Sequence, residues 1–307
     1  MKARKFKKGA VNHVYQRTIN RFNIFYDIAD YLVYFTIFCT FAREAKISVW
    51  SLCLMIDHIH TLIESDNLIP MSEFISRVTS VFVRVYNKYR GRKGPLFEKR
   101  FGSAPKSDIK KLISSIIYVG NNPVEKRICS KAELYRWNFI AYIDSDHPFS
   151  EKLIIGKCST HLARAVRVVN TYAKKNLYLD YGILDGIFSK LSPSEKKQLI
   201  DYIIVLYNAI DYKKTLEHFE TYEQLTTAMR STTGSEYDLK EETDRSTDSV
   251  YRDCINEVKH MGITDIRKIV CLSINVKLDI ANRLRQHTNA SIKQICKFLH
   301  ILVARGS

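Results

Sequence analysis

Two histidines lie one residue apart in MIDHIHTLIE, residues 55–64, a stretch that is otherwise mostly apolar and rich in β-branched residues. In a β-strand, residues i and i+2 project from the same face, so His58 and His60 present their imidazoles together. Neutral imidazole is a common ligand of divalent transition metals. The pair therefore predicts a two-point metal site. Two histidines that are only hydrogen-bonded within a sheet would give the same pattern, and this alternative stays open.

A tyrosine and an amide suited to the same chemistry follow on a predicted helix. The periodicity over residues 107–123 predicts a helix that Ser107 caps and Pro123 stops, with its isoleucines on the packed face. Tyr118 lies almost opposite that face, so we expect it to point outward, with Asn122 one turn further on. This arrangement predicts an outward-facing phenol beside an amide that could give a third, oxygen ligand to a metal held by the histidines. An ordinary half-exposed tyrosine is the alternative.

These residues need a sheet and packed helices to bring them together. The order strand, helix, strand, strand, helix, strand, helix predicts an α+β domain over residues 1–150, an antiparallel sheet with packed helices close to a ferredoxin-like arrangement. The predicted strands cover 12–19, 47–55, 58–65 and 94–105, and the helices cover 24–45, 71–91 and 107–123.

The remaining residues predict an all-α C-terminal region. Residues 151–230 have helical periodicity, with a capping box at Ser192 and Glu195, residues 231–249 form a polar linker or long loop, and residues 250–307 are again helical. The segment NASIKQICKFLHI resembles the first half of a helix-turn-helix of the kind found in replication initiators. A recognition helix should follow, but only LVARGS remains. We therefore expect either a truncated helix-turn-helix or a native end without that helix.

Composition limits the class of protein. The 307 residues carry a formal charge of +16, which favours a polyanionic partner such as nucleic acid. The seven cysteines are scattered and odd in number, which argues against a disulfide framework and favours a reducing cytoplasm. The most apolar run, residues 31–42, is too short to span a bilayer and predicts a buried helix, so no membrane partner is expected. The sequence shows no P-loop, and we expect no nucleotide cofactor.

Four segments in this order resemble the single-tyrosine HUH transposases, in particular the REP-associated tyrosine transposases. They are LMIDHIHTLIE, GPLFEKRFGS, YVGNNPVEK and ELYRWNFIAYI, within a resemblance that spans residues 12–145. The resemblance implies an HUH endonuclease domain that acts in DNA transposition and recombination. It implies His58, His60 and Asn122 as metal ligands, and Tyr118 as the nucleophile that forms a 5′-phosphotyrosine intermediate. The two histidines are counted with Tyr118 as catalytic residues.

The chain departs from the family pattern at two places. Ile56 and Asp57 stand where relatives often have Pro-Asn, which changes the turn before the histidine pair. Gly120 lies within the last turn of the catalytic helix, and we expect it to loosen that turn.

The chemistry needs a metal and an accessible strand. A phenol is only about 0.1% ionised at neutral pH, so Mg²⁺ or Mn²⁺ is the expected cofactor. Single-stranded or hairpin DNA is the expected partner, and either a monomer or a homodimer is compatible with the sequence. Binding to DNA would place the protein with the nucleoid. Tyr86 or Tyr89 is expected to stack on bases. The expected backbone contacts are Arg17, Arg84, Lys88, Arg92, Lys93 and Arg100.

Two other functions stay open on the sequence alone. A domesticated HUH fold would bind hairpin DNA as a regulatory protein without cleaving it. A metallohydrolase would use the two histidines without Tyr118.

Overall fold

A four-stranded antiparallel sheet forms the centre of the N-terminal region. The computed structural model describes residues 5–98, 101–231 and 247–302. The strands lie in the order β2-β3-β1-β4, with every neighbouring pair antiparallel. The strands are β1 Val11–Arg17, β2 Ser48–Leu54, β3 His58–Glu64 and β4 Gly102–Lys106.

Three helices cover the two faces of this sheet. Helices α1 and α2 pack on one face, where Gln16 of β1 hydrogen-bonds Thr79 of α2 at 3.0 Å. Helix α3 packs on the other face, where the two histidines project. The βαββαβ order and the added helix confirm the predicted α+β fold. The helices are α1 Ile28–Glu44, α2 Leu68–Arg90 and α3 Ile109–Glu125.

Helix α1 is the buried helix that the apolar run predicts. A capping box begins it, in which the Asp27 side chain accepts from the Asp30 N–H and the Asp30 side chain accepts from the Asp27 N–H. Its residues from Leu32 to Ala42 are all buried, because the sheet and other helices surround it. Within the described residues, no helix has the length and apolar character needed to cross a membrane.

Helix α3 differs at both ends from its prediction. It begins at Ile109, and its cap is Asp108 rather than Ser107, because the Asp108 carboxylate accepts from the Lys111 N–H. It runs through Pro123 to Glu125. A proline inside a helix removes one hydrogen bond without preventing the next residues from closing theirs.

At Gly120, side chains from later segments pack closely against the face of α3 that points away from the sheet. A Cβ at Gly120 would lie well inside van der Waals contact of Met229 and Ile140. Gly120 does not lie in the last turn, since α3 continues past it to Glu125, and the expected loosening stays a prediction. Its missing side chain lets the following segments pack closely against α3.

We expect Gly120→Val to lower the free energy of unfolding by about 1–3 kcal/mol, because the added carbons must displace packed side chains. Gly186→Ala is the matched control, since Gly186 lies in a helix with open space around it. That substitution should raise stability by about 0.5–1 kcal/mol through helix propensity alone. Urea denaturation measures both values. Equal effects of the two substitutions would contradict this account of Gly120.

The C-terminal region is helical throughout its described part. Helix α6 starts with the predicted capping box, in which Ser192 and Glu195 satisfy each other's backbone N–H groups. Most of the predicted linker, 231–249, lies outside the described residues, and the domain boundaries stay predictions. The helices are α4 Thr160–Lys174, α5 Tyr181–Phe188, α6 Pro193–Tyr207, α7 Tyr212–Leu216, α8 Tyr222–Ser231, α9 Val250–His260, α10 Ile274–His287 and α11 Ile292–Leu299.

Helices α9, α10 and α11, with a 3-10 helix at Ile266–Cys271, form a unit with its own apolar core. We call residues 247–302 the C-terminal unit. Tyr26 and Ile56 of the N-terminal region belong to the same core. The unit is therefore packed against the turn that precedes the histidine pair. The described part of the predicted helix-turn-helix segment ends after α11, and residues 303–307 lie outside the described residues.

Candidate active site

Strand β3 presents its two histidines on the face that α3 covers. The rings of His58 and His60 are 4.9 Å apart and perpendicular, and both are buried. In the β1–β3 register, Arg17 lies opposite His58 and Tyr15 lies opposite His60, so these four residues share one face of the sheet. The predicted pairing of the imidazoles is present.

Asp57 and Asn122 fix the His58 ring. The His58 Nδ1–H donates to Asp57 Oδ1 at 2.5 Å, and this bond leaves the lone pair of a neutral ring on Nε2. Asn122 Oδ1, from α3, lies 3.3 Å from that Nε2. When His58 is neutral, its Nε2 lone pair faces the Asn122 oxygen, an arrangement that a cation would bridge, and when the ring is protonated, Nε2–H donates to that oxygen. The sequence analysis predicted Asn122 but did not assign this role to Asp57.

His60 has a partner that the sequence analysis missed. His13 Nε2 and His60 Nδ1 are hydrogen-bonded at 2.9 Å, and both rings are fully buried. His13 comes from β1, on the same face of the sheet. The available signal was the strand alternation in β1, which places His13 on the face of Tyr15 and Arg17. Nothing in that alternation identifies which strand is the neighbour.

Tyr118 faces the histidines and not the solvent. Its ring lies 5.6 Å from the His60 ring and 5.9 Å from the His13 ring, and only 5% of the residue is exposed. The outward orientation predicted from the isoleucine pattern is therefore wrong. Helix α3 is packed between the sheet and later segments of the chain, so it has two buried faces. Ile109, at the start of the helix, is exposed although the isoleucine pattern placed it on the packed face.

The donors at this site fit a small divalent cation. Two ligands of one octahedral ion, with bonds of about 2.1–2.3 Å, are separated by roughly 3.0–3.2 Å. The observed 3.3 Å between His58 Nε2 and Asn122 Oδ1 is close to that value. Among the described residues, no three His, Cys, Asp or Glu side chains form a metal-binding group. A metal held between His58 Nε2 and Asn122 Oδ1 would need further ligands, such as water or phosphate oxygens, to complete its coordination.

Two carboxyl groups with shifted pKa values lie beside His58. Burial opposes ionisation of Asp57, but the charge and hydrogen bond of His58 keep its pKa below the ordinary value. Burial, with a further contribution from Asp57, raises the pKa of Asp248 to about 6, while Lys126 and Lys297 act in the opposite direction. Asp248 is held at the end of α3, because its N–H donates to the Lys126 carbonyl at 3.0 Å.

The predicted DNA contacts are distributed over several surfaces. Of the six, the structure brings Arg17 to the histidine face, where its guanidinium lies 5.4 Å from the Tyr15 ring. Arg84 and Lys88 are exposed on α2, which covers the opposite face. Lys93 is exposed in the loop after α2, where Arg92 donates to the carbonyls of Gly94 and Pro95. Arg100 lies outside the described residues.

Neither tyrosine predicted to stack on bases is available for it. Tyr86 is fully buried in the core below α2. Tyr89 stacks on Tyr181 at 4.4 Å and donates its hydroxyl to Asp185 of α5. Both predictions are wrong because later helices cover this part of α2, and a helical pattern alone does not reveal which helix will cover it.

Comparison with known proteins identifies the domain that carries this site. Residues 7–122 match the family model described as "Transposase IS200 like". This match covers less than half of the chain, and the region that carries the site is similar to the IS200-like transposases. The match confirms the resemblance predicted from the sequence, and it contains His13, His58, His60, Tyr118 and Asn122.

A solved structure of a REP-associated tyrosine transposase bound to a REP hairpin is similar to part of this chain. The two chains are 15% identical, with a TM-score of 0.38, and the similarity covers 45% of this chain and 80% of the other. No curated protein matches the chain at a significant level. The IS200-like match ends at Asn122, so α4 to α11 lie beyond it.

Proposed function

We propose that the domain that carries the histidine pair is a metal-dependent endonuclease and strand transferase that acts on single-stranded or hairpin DNA. The observation that carries the proposal is the position of the Tyr118 ring, 5.6 Å from His60, beside the site where His58 and Asn122 place two donor atoms 3.3 Å apart. A nucleophile and a metal-binding group thus reach the same small space. The match to IS200-like transposases supports DNA as the substrate.

The metal ligands and Tyr118 have different roles in the proposed reaction. Mg²⁺ or Mn²⁺, when held by His58, His60 and Asn122, would withdraw charge from the scissile phosphate. Tyr118 attacks phosphorus through its hydroxyl oxygen, which releases its proton to water as the bond forms. The new bond joins that oxygen to phosphorus, the bond from phosphorus to the 3′ oxygen breaks, and the released oxygen takes a proton to become a free 3′-OH. The product is a 5′-phosphotyrosine, which conserves the phosphodiester and allows rejoining without ATP.

Residues around the site orient its two imidazoles. Asp57 holds the proton of His58 on Nδ1, and His13 holds the ring of His60 from the opposite strand. Tyr118 is buried, so a paired second strand would obstruct the approach of a phosphate. This burial favours an unpaired strand, and a hairpin is the substrate class that the family resemblance implies.

A gel assay tests the proposal. The full chain is incubated with a 5′-fluorescent hairpin that carries single-stranded extensions, in Mn²⁺, in Mg²⁺ and in EDTA. We expect a covalent protein–DNA complex that survives SDS in the metal lanes only, together with a shorter strand that ends in 3′-OH. Cleavage to a free 5′-phosphate without an adduct would indicate a metallohydrolase. Tight, salt-dependent binding without cleavage in either metal would indicate a regulatory DNA-binding protein.

A further inference from the structure

The turn before β3, residues 55–57, is bound by main-chain groups from two other segments. The Ile24 N–H donates to the Ile56 carbonyl at 2.9 Å, and the Thr18 N–H donates to the Asp57 carbonyl at 3.0 Å. Ile56 and Asp57 are both buried, so these bonds are shielded from water. The position of Asp57 relative to β3 therefore depends on residues from outside the turn.

Thr18 makes a second contact with the same carbonyl through its side chain. Its hydroxyl oxygen lies 2.9 Å from the Asp57 carbonyl oxygen and 2.7 Å from the Phe22 carbonyl oxygen, within donating distance of both. Thr18 is fully buried, and a buried carbonyl that loses its donor destabilises the arrangement around it. The hydroxyl therefore links the main chain of Asp57 to the segment that leaves β1.

Asp57 connects this turn to His58. Its carboxylate accepts from His58 Nδ1 at 2.5 Å, and His58 Nε2 lies 3.3 Å from Asn122 Oδ1. A carboxylate bonded to the second nitrogen of a metal-binding histidine fixes the orientation of its ring. Because the carbonyl and the carboxylate of Asp57 belong to one residue, a displaced main chain would also move the carboxylate out of line with the ring. The orientation of His58 thus depends on the bonds that hold the turn.

The C-terminal unit supports the other segment that binds this turn. The Tyr26 hydroxyl donates to the Phe298 carbonyl at 2.6 Å, and His300 Nε2 donates to the Asn23 carbonyl at 2.6 Å. These two bonds fix residues 23–26 against α11 and the residue that follows it. Helix α11 thereby supports the segment whose Ile24 N–H binds the turn, while Thr18 binds the turn from the end of β1.

We propose that Thr18 is a positioning residue for His58. It holds the main chain of Asp57 so that the Asp57 carboxylate keeps the imidazole in the orientation that a metal site needs, and it acts through Asp57 rather than by contact with DNA or metal. The β1–β3 register supports this role, because Arg17 lies opposite His58 and Thr18 therefore comes next to Asp57. This inference rests on the proposed function, since His58 is taken as a metal ligand.

Thr18→Val tests the proposal, and Thr215→Val is its matched control. Thr215 is also buried, and its hydroxyl donates to the Trp50 carbonyl at 2.7 Å, at the end of the sheet away from His58. The full chain, with its histidine side chains labelled with ¹⁵N, is measured by NMR without metal or DNA. The Nδ1 proton of His58 is assigned by its absence in His58→Gln. We expect its resonance to shift or broaden in Thr18→Val and to stay at its wild-type position in Thr215→Val.

The metal dependence of cleavage gives a second readout. In Thr18→Val, the Mn²⁺ concentration for half-maximal cleavage should rise about three- to tenfold, less than the roughly 10- to 100-fold typical of a residue bonded directly to a metal ligand. Thr18→Ser keeps the hydroxyl and should restore both the resonance and the Mn²⁺ dependence. Thermal melting checks that each variant is folded. If Thr18→Val does not fold, Thr18→Ala, which removes the same hydroxyl, takes its place in both measurements.

An unchanged His58 resonance in Thr18→Val would overturn the proposal. Equal changes in Thr18→Val and Thr215→Val would overturn it too, since they would reflect a general loosening of the sheet. A wild-type chain without an observable His58 Nδ1 proton would do the same, because the bond to Asp57 would then be missing. The NMR readout requires neither metal nor cleavage. A shift confined to Thr18→Val would support the positioning role even if the wild-type chain formed no adduct, and that absence would count against the endonuclease alone.

Discussion

Tyr118→Phe should abolish the covalent protein–DNA complex and lower strand cleavage by roughly 10³-fold or more. The substitution removes only the hydroxyl oxygen that would attack phosphorus. The ring keeps its contacts with His13 and His60, so the packing of α3 on the sheet should persist. The measurement is the amount of SDS-resistant complex formed on the hairpin in Mn²⁺, with affinity for the same hairpin measured in EDTA.

Tyr15→Phe is the control for this prediction. Tyr15 lies on the same face of the sheet, opposite His60, and is only partly buried. Its variant should form the complex at close to the wild-type rate. If Tyr118→Phe still forms the complex, another residue is the nucleophile and Tyr118 is misassigned. If Tyr118→Phe and Tyr15→Phe lose the covalent complex equally, the loss does not identify the Tyr118 hydroxyl as the nucleophile.

His58→Ala and His60→Ala should each lower Mn²⁺-dependent cleavage by roughly 10²-fold or more, because each removes one of the two proposed nitrogen ligands. Binding of the hairpin in EDTA should stay within a few-fold of wild type. The measurement is the cleavage rate as a function of Mn²⁺ concentration. A lost ligand should also raise the Mn²⁺ concentration needed for half-maximal rate, whereas a partly unfolded protein would lose amplitude without that change.

His161→Ala serves as the control for the histidine variants. His161 is exposed on α4, away from the sheet, and its loss should leave the Mn²⁺ dependence unaltered. A wild-type rate and Mn²⁺ dependence in His58→Ala or His60→Ala would show that the paired imidazoles are only structural, as the alternative interpretation of the sequence holds.

Much of this architecture was predictable because local patterns determine it. The alternation in β3 placed His58 and His60 on one face, and the order of strands and helices predicted the α+β sheet that the structure shows. The capping box at Ser192 predicted the start of α6. Each of these signals is contained within a few neighbouring residues.

The predictions from the sequence fail where burial or orientation depends on contacts between residues that are far apart in the chain. Tyr118 faces the sheet because the opposite face of α3 is also packed, against segments that include Met229 and Ile140. Tyr86 is fully buried, and Tyr89 stacks on Tyr181 of α5, which comes much later in the chain. The pairing of His13 with His60 depends on strand order, which no short pattern contains. A periodic stripe identifies one buried face but does not exclude a second.

The hydrogen bonds from Tyr26 to Phe298 and from His300 to Asn23 have a consequence for biosynthesis. Their partners are 272 and 277 positions apart in the chain, so they form only after almost the whole described sequence has left the ribosome. Until then the turn before β3 lacks the helix that covers Ile56. A nascent or prematurely terminated polypeptide would carry the sheet and its histidines without this cover. Translation itself would thus leave Ile56 uncovered until synthesis has passed α11.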